Sequence, residues 1–87
     1  MHGNTSTEFV VEEITLFIQD RFQVPDISRI SENTELFREG VVDSMGVLTL
    51  ITFLETNFGI QIEPREMLLQ NFSTIAAMRD FVILKKS

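Results

Sequence analysis

An apolar stripe near the middle of this chain constrains its fold more than anything else in the sequence. Val47, Leu50, Ile51, Leu54 and Phe58 fall at i, i+3, i+4, i+7 and i+11, which puts them on one face of an α-helix. A face so apolar must be covered, and two other segments repeat with the same period. Phe9, Val10, Ile14, Phe17 and Ile18 predict a first helix over about 6–22, entered through Thr5 and Glu8 at capping-box spacing. Val24-Pro25-Asp26 stops it, because proline biases the residue before it away from helix. Ile75, Met78, Phe81 and Val82 predict a last helix, with Ser73 as its N-cap. Asp43-Ser44 opens the central helix, since both residue types accept well from free backbone N–H groups. Gly59 ends it at the usual place for a left-handed residue.

Residues 23–42 read as a long connection with room for one short helical turn. It is pinned by Ile27, Ile30, Leu36 and Phe37 and turns at Gly40. Ile60-Gln61-Ile62 is a short extended piece, and Pro64 starts a brief third helix at its first position. No strand pattern of useful length competes. The expected fold is all-α: a four-helix bundle with three longer helices, one short one and a long first loop. With 87 residues, no linker and no internal repeat, residues 1–87 are expected to form a single domain, with 1–5 as a flexible tail.

Most chemistries lack their residues here. Cysteine is absent, which removes disulfides, thiolate metal sites and a thiol nucleophile. The one histidine, His2, stands in a polar N-terminal stretch and is expected to be a bystander, so a serine nucleophile has no base. No metal-ligand spacing and no glycine-rich phosphate loop is present, and the carboxylates are scattered. The chain is expected not to be an enzyme. Thirteen Asp and Glu against seven Lys and Arg give a net charge of −6. That charge repels nucleic acid and anionic membrane and steers the protein toward basic protein surfaces, or simply keeps it soluble. Neither a signal peptide nor a membrane-spanning run is expected, which suits a cytoplasmic protein. Nothing demands more than a monomer.

At the first turn of a helix, the Ser44 side chain is exposed beside unpaired backbone N–H groups. A phosphodiester on its oxygen would lie at the positive end of the helix dipole. Taken alone, Asp43-Ser44 reads first as a simple cap, since the dipeptide is common. The surroundings carry more. Leu36-Phe37-Arg38-Glu39-Gly40-Val41-Val42-Asp43-Ser44-Met45, a helix closing on Phe58-Gly59-Ile60, and Phe72-Ser73-Thr74-Ile75 at the last helix together resemble the acyl carrier and peptidyl carrier protein family. The resemblance runs from about Phe9 to Val82. It implies a bundle of acyl-carrier type, with 4′-phosphopantetheine from coenzyme A attached to Ser44 by a Mg²⁺-dependent phosphopantetheinyl transferase. It implies further that an acyl group rides on the arm as a thioester, loaded by one partner enzyme and unloaded by another. Asp43 carries over as the residue before the attachment serine, either engaging the transferase or capping. A thiol on the arm also accounts for the absent cysteine.

On a helical wheel, Met45, Leu48, Thr49, Thr52, Phe53 and Thr56 lie away from the core stripe, and Glu55 is the one acid after Ser44. Fatty-acid carriers of this family bear a strongly acidic second helix, and this face departs from that pattern. Met45, Leu48, Thr49 and Thr52 are read as a drier partner-binding face, with Leu48 or Phe53 alternatively touching a neighbouring helix. Two residues between Gly40 and Asp43, and Met-Gly after the serine, are similar to stand-alone aminoacyl carriers, including D-alanyl carriers. The pattern from Pro64 to Leu69 departs from that subgroup. The reading is an aminoacyl or acyl carrier loaded by an adenylating or other acyl-loading enzyme and unloaded by a downstream transferase. The alternatives are a fatty acid or polyketide carrier, or an unmodified interaction module. A filled core is expected, without a deep pocket.

Overall fold

The computed structural model describes residues 6–22, 24, 28 and 30–87. The expectations placed on His2, Thr5, Pro25, Asp26 and Ile27 lie outside the described residues. The first helix, α1, spans Thr7–Arg21 and buries Val10, Ile14 and Ile18, with Phe9 and Phe17 half-buried at the flanks. Its cap is Ser6, one residue past the expected Thr5, and the Ser6 hydroxyl oxygen accepts from Phe9 N–H at 3.3 Å. The second helix, α2, spans Ser44–Phe58, buries the whole predicted stripe together with Gly46, and closes on Gly59 at φ 65°. The third, α3, spans Ile75–Lys86, packs on α1 and buries Ile75, Met78, Phe81 and Val82.

The short helix expected at Pro64 is two single 3-10 turns, Pro64–Glu66 and Leu69–Asn71, and neither buries a residue. Proline stands at the first position as predicted, but a segment without a buried stripe has nothing to drive a longer helix. Its ends are anchored instead, by Ile62 and Phe72, both in the core. In between, Glu66 accepts from Glu63 N–H at 2.9 Å and from Lys85 Nζ at 2.8 Å, which ties the segment to α3. Among the described residues there is no strand, and no helix is long and apolar enough to cross a membrane.

The cap of α3 is Thr74 rather than Ser73. Thr74 Oγ1 accepts from Ala77 N–H at 2.9 Å. Ser73 is held elsewhere, because its carbonyl accepts from Leu36 N–H at 2.9 Å and its hydroxyl donates to the Gln70 carbonyl. A second bond runs from Ala76 N–H to the Glu32 carbonyl at 2.9 Å, and Arg79 pairs with both Glu32 and Asp80. The long connection is thereby stitched to the start of α3.

Lys85 donating to Glu66 holds that carboxyl below the ordinary glutamate range. A carboxyl depressed in the folded state contributes stability that is full above its unfolded value. That contribution is lost as pH falls through the folded one. In urea titrations the wild type should therefore exceed Lys85→Met in stability at about pH 7, with a smaller gap at about pH 3. An equal gap at both pH values would remove the ion pair as its cause.

Candidate cofactor-attachment site

The site begins at Leu36, which is fully buried. Its carbonyl accepts from Val41 N–H at 2.9 Å and Val42 N–H at 3.2 Å, folding 36–42 back on itself. Gly40 makes the reversal possible at φ 76°, a region that side chains with a Cβ rarely enter. Val42 is then driven into the core, 2 % exposed, and Asp43 emerges beside it at the surface.

Asp43 has extended backbone (φ −105°, ψ −176°), and its Oδ1 accepts from Gly46 N–H at 2.8 Å. Its carbonyl accepts from Val47 N–H at 3.2 Å, the first turn of α2. The aspartate is therefore the cap. Ser44 is the first helical residue, exposed, and its hydroxyl is engaged by no partner among the described residues. Ser44 and Met45 N–H precede the first intrahelical bond and have no acceptor within the helix. Neither an acidic nor a basic side chain stands in that first turn. Gly46 is packed so closely that a Cβ there would lie 2.8 Å from Phe22 Cε1 and 2.9 Å from Val42 Cγ1. The sequence offered no signal for that contact, because it joins the end of α1 to the start of α2.

The outer face of α2 is as read for Met45 and Leu48, which are 75 % and 61 % exposed. Thr52 is exposed too, and Thr49 is half-buried. Phe53 takes the other reading and touches a neighbouring helix, stacking on Phe17 with centroids 3.9 Å apart and planes at 12°. Glu55 is no docking charge, because its Oε2 accepts from Ile62 N–H at 2.9 Å. Between α1 and α2 lies an open groove of about 510 Å³, lined by Phe17 and Arg21 on one side and by Leu48, Thr49, Thr52 and Phe53 on the other. Thr56 and Asn57 close its far end. Neither Phe17 nor Arg21 was identified as a site residue from sequence, where Phe17 counted as part of the α1 stripe. Among the described residues no group of three His, Cys, Asp or Glu side chains could hold a metal ion.

A small helical scaffold that displays one free hydroxyl beside a carboxylate cap, with the rest of that face uncharged, is built to hold something for other proteins. The chain belongs to the family described as the phosphopantetheine attachment site, whose model matches residues 12–82. It is also similar to the D-alanyl carrier proteins of Streptococcus pyogenes serotypes M5, M49 and M1. Each is 32% identical over 65 residues, covering 75% of this chain and 81% of the relative. Membership makes it a carrier protein whose cofactor is a covalently attached 4′-phosphopantetheine, served by a phosphopantetheinyl transferase and by acyl-loading enzymes. The site fits that group. An exposed hydroxyl meets two open N–H donors, and the one neighbouring acid, Asp43, has its carboxylate engaged on Gly46 N–H.

Removing the cap should cost stability without touching the hydroxyl. Asp43→Ala is expected to lose about 1 kcal/mol in denaturant unfolding and Asp43→Asn only a few tenths. Equal losses for the two would mean that the carboxylate acts there by charge rather than by accepting from Gly46.

Proposed function

We propose that Ser44 carries the 4′-phosphopantetheine and that the arm carries an aminoacyl group as a thioester. The observation that carries this reading is the division of labour at the start of α2. Asp43 does the capping, and this leaves the Ser44 hydroxyl exposed and unengaged. In the attachment step Ser44 Oγ forms a bond to phosphorus and the diphosphate bridge of coenzyme A breaks. The adenosine bisphosphate leaves and the hydroxyl proton passes to the transferase. The arm supplies the thiol that the chain lacks, and every other part of the task falls to the protein surface.

That surface is Met45, Leu48, Thr49 and Thr52, which would meet partners through apolar contact and desolvated hydroxyls rather than through a row of carboxylates. The same absence of acid separates it from the fatty-acid pattern, and the D-alanyl carrier relatives support an aminoacyl cargo. The partners are a phosphopantetheinyl transferase, an adenylating enzyme that loads the amino acid, and a downstream transferase. The protein acts as a monomer in the cytoplasm and performs no reaction of its own.

Intact mass after incubation with coenzyme A, Mg²⁺ and a promiscuous phosphopantetheinyl transferase should show one added phosphopantetheinyl group. Ser44→Ala should show none. A folded wild type that gains nothing would mean an unmodified interaction module. Leu48→Glu should keep its circular dichroism and unfolding midpoint while its ATP-dependent loading by a D-alanine-adenylating enzyme falls about tenfold or more, as for a lost apolar anchor. Unchanged loading would take Leu48 out of the partner face.

A further inference from the structure

The groove between α1 and α2 has a direction. Three contacts set the register of the two helices: Asn57 Nδ2 donates to Glu13 Oε1 at 3.3 Å, Phe17 stacks on Phe53, and the Phe22 ring lies against Gly46. The helices therefore run antiparallel. Arg21 lies at the level of Leu48 and Thr49, about one turn from Ser44, and Glu13 at the level of Asn57. Arg21 is exposed and makes no ion pair among the described residues. The groove thus has a free cation at the end nearer Ser44 and a carboxylate beside its far end. Its floor is the Phe17–Phe53 stack, and threonine hydroxyls stand along α2.

We propose that this groove is the resting seat of the prosthetic arm, with the phosphodiester drawn toward Arg21 and the ammonium of an aminoacyl cargo toward Glu13. The inference rests on Ser44 as the attachment point. Pantetheine is a chain of two geminal methyls, a hydroxyl and two amides ending in a thiol. Leu48 suits its methyls, the aromatic faces suit the methylenes beyond them, and threonine hydroxyls suit its amides. The length fits as well. From Ser44 Oγ to the sulfur run about fourteen bonds, or about 17 Å at the roughly 1.2 Å per bond of an extended chain. Thr52 and Thr56 lie about 12 and 18 Å from Ser44 along the helix axis. The arm must also cross Leu48, which separates Ser44 from the groove on the helix surface, so the sulfur ends between those two threonines. The cargo then reaches Asn57 and Glu13. The groove volume of about 510 Å³ is within the range of small-molecule sites. The seat overlaps the partner face at Leu48, Thr49 and Thr52, so a docking partner lifts the arm out as it binds.

The test is NMR on the full chain before and after loading, with intact mass establishing how much is loaded. The expected result is cross-relaxation from the methylenes in the thiol half of the arm to the Phe17 and Phe53 rings, with shift changes at Thr49, Thr52 and Thr56. In Thr56→Trp, which fills the groove, that cross-relaxation should be lost at full mass gain. With alanine on the arm in a stable amide linkage, the Asn57 side-chain amide should shift in the wild type and not in Glu13→Gln. A fully loaded sample whose shifts stay at Ser44 and Met45, or whose arm contacts fall on α3, would overturn the seat and leave the attachment standing. Cross-relaxation that survives in Thr56→Trp, or an Asn57 shift indifferent to Glu13→Gln, would overturn it too. Absence of any mass gain would overturn the attachment itself, and the seat with it.

Discussion

The Leu36 backbone holds the working end of this molecule together. Its N–H donates to the Ser73 carbonyl and its own carbonyl accepts from two N–H groups, Val41 and Val42. The residue is fully buried, so each of these bonds is sheltered from water, and loss of one would leave a polar group unpaired inside the fold. From that clasp the rest follows in sequence. The 36–42 turn closes, Val42 enters the core, Asp43 is delivered to cap α2, and Ser44 is left at the surface. A long connection, which could have been the loosest part of the chain, becomes the part that aims the hydroxyl.

The acidic charge of the chain is kept away from the outer face of α2. The chain carries a net charge of −6, yet the outer face of α2 is apolar and hydroxylated. Its one carboxylate, Glu55, is turned to Ile62 N–H and serves the backbone. Glu32 is paired with Arg79 and Glu66 with Lys85, so these acids are structural fastenings between segments. A carrier has to be recognised by several enzymes in turn, and a face without strong charge binds through shape and desolvation rather than through long-range attraction. The same face borders the groove with Arg21 at its near end, the one charged side chain among the residues that line it.

Where sequence and structure part, a contact distant along the chain decides. Ser73 and Thr74 are both sound capping residues, and local chemistry cannot choose between them. The bond from Leu36 takes the Ser73 carbonyl and leaves Thr74 to cap. The Pro64 start was legible because proline favours a first helical position. That the segment would stay as two 3-10 turns was not, because it depends on the segment having no face in the core. The wheel put Phe53 at the flank of the stripe, where it could touch a neighbouring helix, but did not show which helix that would be. Only the approach of α1, with Phe17 opposite, half-buries Phe53 and leaves Leu48 exposed.

The sequence by itself determined the three helices, their buried stripes, the capping aspartate, the serine beside it and the carrier family, because these rest on spacings within a few residues. Helical periodicity and capping are local physics. Tertiary structure decided which hydroxyl stays free, how closely Phe22 packs on Gly46, and that Phe17 and Arg21 face α2 to make a groove. Those outcomes depend on the register between helices separated by a long connection, and that register is set by packing of the whole core, which no short stretch of sequence encodes.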